Sequence, residues 1–404
     1  MTVKIKPSQV KGTVNAPASK SMAHRLLICA GLAEGKSEIN NVAYSEDILA
    51  TLDCLSSMGA KIEKGEDFVI IEGASPLSSK GGTYKCRESG STLRFFIPIA
   101  MLSCERSLFT GYGRLMERPM EIYEKIAQEK GLSYEKNSDG ISIVGRLTPG
   151  SFSVPANISS QFISGLLFAL PLCEGDSEIE LTGNIESRSY IDMTIDAMML
   201  FGVKIIWKNE KTLYIKGGQK YLPQSFAVEG DYSNAAFLDG FNLLGGEVTV
   251  KGLKPDSLQG DKIYKEYYEL LKKGFPTLDI RNCPDLAPIL MTLAAALNGA
   301  VLTGTKRLKI KESDRGLVMK EELSKFGADI EVHEDEIIIH KSEIRKPEEV
   351  LYSHNDHRVV MSLSVLCSIT GGEISGAEAV KKSYPDFFVK VKSLGMEANT
   401  YDNN

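Results

Sequence analysis

Positively charged side chains recur where helices are predicted to begin in this sequence. Seven of them share such places: Lys20, Arg25, Arg118, Lys311, Arg315, Arg358 and Lys382. A helix N-terminus already presents free N–H groups and about half a positive charge, so a cation there is unfavourable unless an anion binds beside it. The pattern predicts binding sites for phosphate and carboxylate groups. Any one of these cations alone is more typical of a solvated charge.

Hydroxyl and acidic side chains accompany the cations. Ser159 and Ser160 precede one apolar helix, and Asp285 precedes another. Such residues are also ordinary helix caps, so each has a purely structural alternative. Glu312 lies between Lys311 and Arg315, where a carboxyl group could act as an acid or a base.

Glycines divide the chain at a nearly constant interval. Each of six follows an apolar helical pattern and precedes a short extended run, which predicts a left-handed C-cap. These are Gly59, Gly131, Gly202, Gly274, Gly327 and Gly395. The spacings are 72, 71, 72, 53 and 68 residues, so one unit is predicted to be shortened.

Apolar helices with polar starts keep the same rhythm. They begin near residues 20, 90, 160, 232, 285 and 356, and short strand-like runs separate them. This alternation predicts six α/β units, three in each of two domains, with a break near 225–231. On periodicity alone, a solenoid or scaffold remains an alternative.

Composition narrows the classes of protein. The chain has 404 residues, 43% hydrophobic and 25% charged, with 47 − 53 = −6 net charge. These values predict a globular protein without a nucleic-acid or acidic-membrane surface. The longest apolar stretches, such as 287–297, are shorter than the roughly 18 residues of a membrane span, and the N-terminus lacks a signal-peptide core.

Metal and redox motifs are weak. The seven Cys include no C-x-x-C pair, which favours a reduced cytoplasmic enzyme. His354 and His357 are better interpreted as helix-start residues than as metal ligands. The segment GLAEGKS at 31–37 has the wrong glycine spacing for a phosphate loop and is predicted to be a turn. We expect neither a metal nor a cofactor.

Eight motifs, in order, carry a family resemblance: SKSMAHR, SGSTLR, LMERP, SSQF, SRSYID, KIKESDR, NDHR and KSYPDFF. Together they closely resemble the EPSP synthase (3-phosphoshikimate 1-carboxyvinyltransferase) family. The resemblance implies a two-domain inside-out α/β barrel of six βαβαββ units. It implies one domain at 14–229, a second combining 1–13 with 230–404, and an active site in the cleft between them.

The same resemblance implies the reaction and its residues. The family transfers the enolpyruvyl group of phosphoenolpyruvate to the 5-hydroxyl of shikimate 3-phosphate in aromatic amino acid biosynthesis. The implied ligands of shikimate 3-phosphate are Lys20, Ser21, Arg25, Ser159, Ser160, Gln161, Ser187, Asp285 and Lys311. Those of phosphoenolpyruvate are Lys20, Gly90, Arg118, Gln161, Arg315, Arg358 and Lys382.

Addition followed by elimination requires one base and one acid. Asp285 is the candidate base for the attacking hydroxyl, and Glu312 is the candidate acid for the methylene carbon. Lys20 and Lys382 are expected to assist proton transfer or stabilise developing charge. Because the carbon–oxygen bond breaks without phosphoryl transfer, the reaction requires no metal clamp. A cytoplasmic monomer is expected.

Three positions depart from the common family pattern. Glu88 and Arg307 stand where Asn is frequent, and Phe95 stands where Pro is frequent. The related UDP-N-acetylglucosamine enolpyruvyl transferases pair the first Lys with Asn and use a loop Cys. Here Ser21 follows Lys20 and the loop before Arg118 lacks Cys. A non-catalytic sugar-phosphate or nucleic-acid-end binding protein is the more distant alternative.

The glycine at position 90 predicts that glyphosate inhibits this protein. Glycine has no side chain to crowd the phosphoenolpyruvate site, so glyphosate should inhibit the protein in competition with phosphoenolpyruvate. Initial rates at several concentrations of both compounds test this expectation. An unchanged rate at saturating glyphosate would contradict it.

Overall fold

The computed structural model describes residues 1–401 and contains two compact units. The first unit is Ala18–Glu229, and the second combines Met1–Pro17 with the chain from Gly230 onward. Residues 14–17 therefore lie in the second unit, although the sequence-based division placed them in the first domain. The reason is that the strand Lys11–Asn15 pairs in parallel with Glu247–Lys251.

Helices and strands alternate along both units, which confirms the predicted α/β class. The helices are α1 (Lys20–Leu32), α2 (Glu46–Met58), α3 (Gly90–Ala100), α4 (Glu121–Lys130), α5 (Ser160–Ala169), α6 (Arg188–Leu200), α7 (Tyr232–Leu243), α8 (Tyr264–Lys273), α9 (Ala287–Ala296), α10 (Arg315–Ser324), α11 (His357–Thr370) and α12 (Phe387–Ser393). The strands of the first unit are β3 (Lys36–Asn40), β4 (Lys61–Lys64), β5 (Phe68–Glu72), β6 (Gly82–Lys85), β7 (Ser107–Thr110), β8 (Ser133–Asn137), β9 (Gly140–Val144), β10 (Gly150–Pro155), β11 (Ser177–Thr182), β12 (Ile205–Asn209), β13 (Thr212–Ile215) and β14 (Ser225–Ala227). Those of the second unit are β1 (Thr2–Ile5), β2 (Lys11–Asn15), β15 (Glu247–Lys251), β16 (Thr277–Asp279), β17 (Ala300–Thr303), β18 (Ile330–Val332), β19 (Glu336–Ile339), β20 (Leu351–Tyr352), β21 (Gly372–Ser375) and β22 (Ala398–Tyr401).

One sheet design recurs in the first unit. Its sheets have the orders β6-β7-β9-β8, β10-β11-β13-β12 and β14-β3-β5-β4. In each, the first strand arrives from the preceding repeat and pairs in parallel, whereas the last two form an antiparallel hairpin. Because β14, from the end of the third repeat, joins the sheet of the first, the three repeats close into a ring.

The second unit repeats this design with two changes. Its sheets have the orders β16-β17-β19-β18, β20-β21-β1-β22 and β15-β2. The N-terminal β1 takes the place of a hairpin strand between β21 and β22, so both ends of the chain complete one sheet. The two-stranded sheet lacks a hairpin, which confirms that one unit is shortened.

The predicted helix starts are confirmed, and most carry a side-chain cap. The hydroxyl oxygens of Ser19, Ser89 and Ser159 accept from backbone N–H groups of α1, α3 and α5. Asp231 and Asp356 cap α7 and α11 in the same way. These caps fix where each apolar helix begins, and therefore which residues its first turn presents.

Five of the six predicted C-cap glycines have the predicted left-handed backbone, but only Gly59 and Gly131 are the C-cap residue itself. The other three lie one or two residues beyond the C-cap: Gly202, Gly327 and Gly395. Gly59, for example, ends α2 in the left-handed conformation with φ 118°. Gly274 is the exception, and its prediction is wrong, because its φ of 166° is extended backbone. The missing hairpin accounts for the difference: the chain passes directly from α8 through Phe275 and Pro276 into β16 instead of turning into a hairpin.

Each unit has its own apolar core. Helices α1, α3 and α5 supply much of the first core, and α7, α9 and α11 much of the second. Strand residues alternate between buried and exposed in most sheets. The repeated helices therefore lie on the inner side of the sheets within each unit, and their first turns carry the polar residues discussed below.

The position of β1 between β21 and β22 predicts that this N-terminal strand stabilises the second unit. Val3 is buried in β1 between β21 and β22, so Val3→Ala should lower the free energy of unfolding of the second unit by about 2 kcal/mol. Hydrogen exchange should quicken in β21 and β22 and stay unchanged in the first unit. Lys4→Ala, on the exposed face of the same strand, is the control. Equal effects of both substitutions would contradict the assignment.

Candidate active site

Arg315 is the centre of a charged cluster in the second unit. Its side chain is only 1% exposed and donates to three carboxylates. The bonds reach Asp285 Oδ1 at 2.8 Å, Glu312 Oε2 at 2.6 Å and Asp356 Oδ2 at 2.9 Å. These partners outweigh burial and raise the pKa of Arg315. The Arg315 guanidinium is therefore permanently charged, and its hydrogen bonds connect Asp285 to residues of the KESDR and NDHR motifs.

Asp285 faces two further cations. Lys311 Nζ lies 3.1 Å from its Oδ1 atom, and Arg358 Nη2 lies 3.1 Å from its Oδ2 atom. Burial alone would raise the pKa of this carboxyl, but Arg358, Lys311 and Arg315 together hold the pKa well below its usual value. Asp285 is therefore ionised, the state from which a carboxylate can accept a proton.

Asp356 fixes the positions of two of these cations. It is fully buried, accepts from Arg315 Nε, and accepts from Ser313 Oγ at 3.1 Å. Its Oδ1 atom also caps α11 by accepting from Arg358 N at 2.9 Å. Sequence reasoning did not assign Asp356 a role, although it lies in the NDHR motif. The signal that could have found it is an Asp directly before the apolar pattern of α11, which is the place of an N-cap residue.

Lys382 ends a 3-10 turn spanning Ala377–Lys382 and donates to Asn355 O at 2.7 Å. The backbone of His354 and Asn355 is left-handed, with φ of 48° and 56°. This uncommon conformation places Asn355 O and the following Asp356 on one short loop. The loop therefore links Lys382 to the Arg315 cluster.

The first unit holds a second set of polar helix starts. Lys20, the first residue of α1, forms an ion pair with Asp47 of α2 at 2.7 Å. Asp47 is largely buried and was not identified from the sequence. No short motif joins the two residues, so only the packing of α1 against α2 reveals the pair.

Arg25 lies one turn further along α1 and is 2% exposed. Its Nε atom donates to Thr194 Oγ1 at 2.8 Å, Nη1 to Ser21 O at 2.6 Å, and Nη2 to Tyr190 O at 2.9 Å. Burial lowers the pKa of Arg25 to about 10, so the side chain stays charged at neutral pH. Its three acceptors are neutral.

Gly90 begins α3 beneath two guanidinium groups. A Cβ atom built at Gly90 would lie 2.6 Å from Arg118 Nη1 and 3.3 Å from Arg94 Nη1. Any side chain here would displace Arg118. Arg94, which was not predicted as a site residue, also donates to Gln161 Oε1 at 2.7 Å, and Gln161 Nε2 donates to Ser91 Oγ at 2.9 Å. The structure thus brings Gly90, Arg118 and Gln161 together through Arg94.

The predicted serines begin α5 and α6. Ser159 caps α5 by accepting from Gln161 N at 3.3 Å, and the buried Ser160 is its first residue. Ser187 precedes α6 with a left-handed φ of 57°, which is uncommon for a residue other than glycine. Strained backbone of this kind is frequent at binding sites.

The three departures from the family pattern have distinct surroundings. Glu88 lies against Gly113, where a Cβ atom would be within 1.9 Å of its Oε1 atom. Arg307 is buried and donates to Arg281 O at 2.7 Å. Phe95 is buried beside Arg25. Glu88 thus fills the space beside a glycine, Arg307 makes a hydrogen bond, and Phe95 contributes an aromatic ring.

One group of possible metal ligands occurs among residues 1–401: Glu321, Glu322 and His354. The buried Glu322 already accepts from Lys325 Nζ at 2.9 Å and from Tyr352 N at 2.9 Å, and it is hydrogen-bonded to His354 Nε2 at 2.9 Å. These bonds account for its two oxygen atoms, so the group is a structural network. No helix among the described residues is long and apolar enough to cross a membrane.

Cations and serines at repeated helix starts define an α/β enzyme class that acts on small anionic molecules. Residues 4–391 match the family model for EPSP synthase (3-phosphoshikimate 1-carboxyvinyltransferase). The chain belongs to this family of transferases.

Individual members of the family are similar to this chain over nearly its whole length. It is 43% identical over 416 residues to a 3-phosphoshikimate 1-carboxyvinyltransferase of Clostridium perfringens, covering 97% of both chains. It is 41% identical over 420 residues to one of Clostridium kluyveri, covering 99% of this chain and 98% of the relative. The solved EPSP synthase of Acinetobacter baumannii superposes with a TM-score of 0.79 at 25% identity, covering 99% of this chain and all of that one. These similarities confirm the expected two-domain inside-out α/β fold class.

The ion pairs of Asp285 predict a pH dependence of stability. Because its pKa in the folded protein is below the ordinary value of 3.8, its stabilisation is complete above that value and is lost as the pH falls through the folded pKa. Asp285→Asn should lower the free energy of unfolding by about 3 kcal/mol at pH 7. The difference from the unmodified protein should shrink below about pH 4.

Urea unfolding between pH 7 and pH 3 measures this difference. Asp329→Asn, an exposed aspartate of the same unit, is the control and should cost little at any pH. A constant difference for Asp285→Asn across the range would refute the assignment.

Proposed function

We propose that this chain transfers the enolpyruvyl group of phosphoenolpyruvate to the 5-hydroxyl of shikimate 3-phosphate and releases phosphate. The observation that carries the proposal is the ionised Asp285 among Lys311, Arg315 and Arg358, which combines a base with cations for anionic substrates. Family membership supplies the chemical identity of the two substrates.

Shikimate 3-phosphate is proposed to bind the residues that the family resemblance implies. Hydroxyl groups and cations suit its phosphate and carboxylate, and a carboxylate suits its ring hydroxyls. The proposed ligands are Lys20, Ser21, Arg25, Ser159, Ser160, Gln161, Ser187, Asp285 and Lys311. Among them, Arg25 is a buried cation bonded to neutral acceptors, which suits it to an anionic ligand.

Phosphoenolpyruvate is smaller and carries its phosphate and carboxylate close together, so it requires several cations. The proposed ligands are Lys20, Gly90, Arg118, Gln161, Arg315, Arg358 and Lys382. The proximity of Arg118 to Gly90 supports this set in the first unit, because the guanidinium lies over a backbone position without a side chain. Planar guanidinium groups bind phosphate or carboxylate through two parallel hydrogen bonds.

Asp285 is proposed to take the proton of the 5-hydroxyl while the oxygen attacks C2 of phosphoenolpyruvate. Its low pKa in the free protein makes it a weak base, since three cations stabilise the carboxylate. A substrate anion that binds Lys311, Arg315 or Arg358 would weaken that stabilisation and raise the pKa of Asp285. Substrate binding would thereby activate the base.

Glu312 is proposed to protonate the methylene carbon C3 during the addition. In the free protein it pairs with Arg315 at 2.6 Å, close to Asp285 on the same guanidinium. Glu312 would therefore have to take up a proton from solvent when a substrate anion binds Arg315, before it donates that proton to C3. In the elimination, the Glu312 carboxylate takes a proton back from C3, the C2–O bond to phosphate breaks, and the C2–C3 double bond re-forms to give the enol ether product. Lys20 and Lys382 would stabilise the departing phosphate or move protons.

The other interpretations differ in testable ways. A non-catalytic sugar-phosphate or nucleic-acid-end binding protein would not require Asp285 or Glu312. The UDP-N-acetylglucosamine enolpyruvyl transferases would show activity with the nucleotide sugar in place of shikimate 3-phosphate. We also propose a cytoplasmic location and a monomeric state, as expected from the sequence.

The deciding experiment measures phosphate release from phosphoenolpyruvate with and without shikimate 3-phosphate. Release should require both compounds. Asp285→Ala and Glu312→Ala should each lower kcat by about 10²–10⁴-fold, because each removes a proton-transfer group.

Glu321→Ala and Asp329→Ala remove exposed carboxylates from the same unit and are the matched controls. Both should retain normal turnover. Absence of turnover in the unmodified protein, or full activity of Asp285→Ala and Glu312→Ala, would refute the proposal.

A further inference from the structure

Arg25 has an unusual environment for a buried cation. A guanidinium has five N–H groups, and protein acceptors take three of those of Arg25. All three acceptors are neutral, and no carboxylate in the described chain forms an ion pair with it. Buried charges normally require a counter-charge, so another interaction must stabilise this one.

Two aromatic rings provide that interaction. The guanidinium carbon lies 5.4 Å from the centre of the Phe95 ring and 5.8 Å from that of Tyr190. A cation within about 6 Å of an aromatic ring is attracted by the negative face of the ring, and the attraction strengthens when water is excluded. Unlike a carboxylate, a ring does not cancel the charge.

The Phe95 ring is held in place by its own neighbours. Phe168 packs against it edge to face, with ring centres 5.5 Å apart, and His24 does so at 6.3 Å. Burial, with the charges of Lys20 and Arg25, lowers the pKa of His24 well below its usual value, so its ring is neutral at pH 7. The cation that interacts with the face of the Phe95 ring is therefore Arg25.

Two buried cations of the second unit are compensated by carboxylates. There, Arg315 and Arg358 are paired with carboxylates that a substrate anion must displace or share. Arg25 has no such competitor. Phe95 also stands where the family pattern often has Pro, which has no aromatic ring, so members with Pro at this position lack this support.

We propose that Phe95 is a positioning residue that holds the Arg25 guanidinium charged and available for an anionic group of shikimate 3-phosphate. This inference rests on the function proposed above. Phe95 does not contact the substrate: it acts through Arg25, and its effect should fall on the binding of shikimate 3-phosphate rather than on the chemical step.

Phe95→Leu tests the proposal by removing the ring while keeping an apolar side chain. The dissociation constant for shikimate 3-phosphate, measured by calorimetry without phosphoenolpyruvate, should rise about tenfold. The KM for shikimate 3-phosphate should rise similarly, while kcat and the KM for phosphoenolpyruvate stay nearly constant. Phe109→Leu is the matched control, because it removes a buried ring of the same core that stacks on Tyr84, and it should leave shikimate 3-phosphate binding unchanged.

A fluorinated series separates the electrostatic effect from packing. Replacing Phe95 by mono-, di- and trifluorophenylalanine weakens the negative ring face stepwise with little change of shape. The logarithm of the dissociation constant should rise with each fluorine. Phe95→Tyr, which retains the ring, should bind nearly as tightly as the unmodified protein.

Two failures are distinguishable. If the unmodified protein neither binds shikimate 3-phosphate nor turns over, the proposed function fails. If it does both, but Phe95→Leu matches Phe109→Leu and the fluorinated series shows no trend, the role of Phe95 is refuted.

Discussion

A positive charge placed at the start of a buried helix must be compensated, because the helix end is already electropositive and water is largely excluded. The two units meet this constraint differently. In the second, Asp285, Glu312 and Asp356 surround Arg315. In the first, Arg25 relies on neutral oxygen atoms and two rings. The arrangement in the second unit holds carboxylates that can accept or donate protons. The arrangement in the first unit leaves the Arg25 cation available to bind an anion.

The repeated fold makes these arrangements possible. In five of the six repeats a Ser or Asp cap fixes the first turn of the apolar helix, so polar residues reach the same relative place in those repeats. The sixth helix, α9, follows a 3-10 turn that contains Asp285 and has no side-chain cap. The rings of repeats close through β14 in one unit and through β1 and β2 in the other. Closure leaves the inner helices rigidly packed, and rigid packing is what keeps buried charges at defined distances.

Short sequence patterns predicted the positions of the helices well. They predicted poorly which side chains contact one another across the fold. Helix starts and most C-cap glycines depend on a few neighbouring residues, so α1, α3 and α5 were located correctly. Gly274 failed because a missing hairpin, which no local pattern records, changes the path of the chain. The cations at helix starts were found from their spacing.

Their buried partners were harder to find. Asp47 pairs with a residue 27 positions away, and Asp356 with one 41 positions away, so only tertiary packing brings them together. Arg94 was visible within a motif, but its link to Gln161 spans 67 positions. Phe95 was noted as a departure from the family pattern, and its contact with Arg25 gives that departure a physical meaning.

The proposed role of these cations is to hold two anions while the chemistry occurs at carbon, with phosphate as the leaving group. Phosphoenolpyruvate labelled with ¹⁸O at the oxygen between C2 and phosphorus tests it directly. Turnover with shikimate 3-phosphate should place the label in the released phosphate, as detected by the isotope shift in ³¹P NMR. Label retained in the organic product would show cleavage of the phosphorus–oxygen bond and contradict the account.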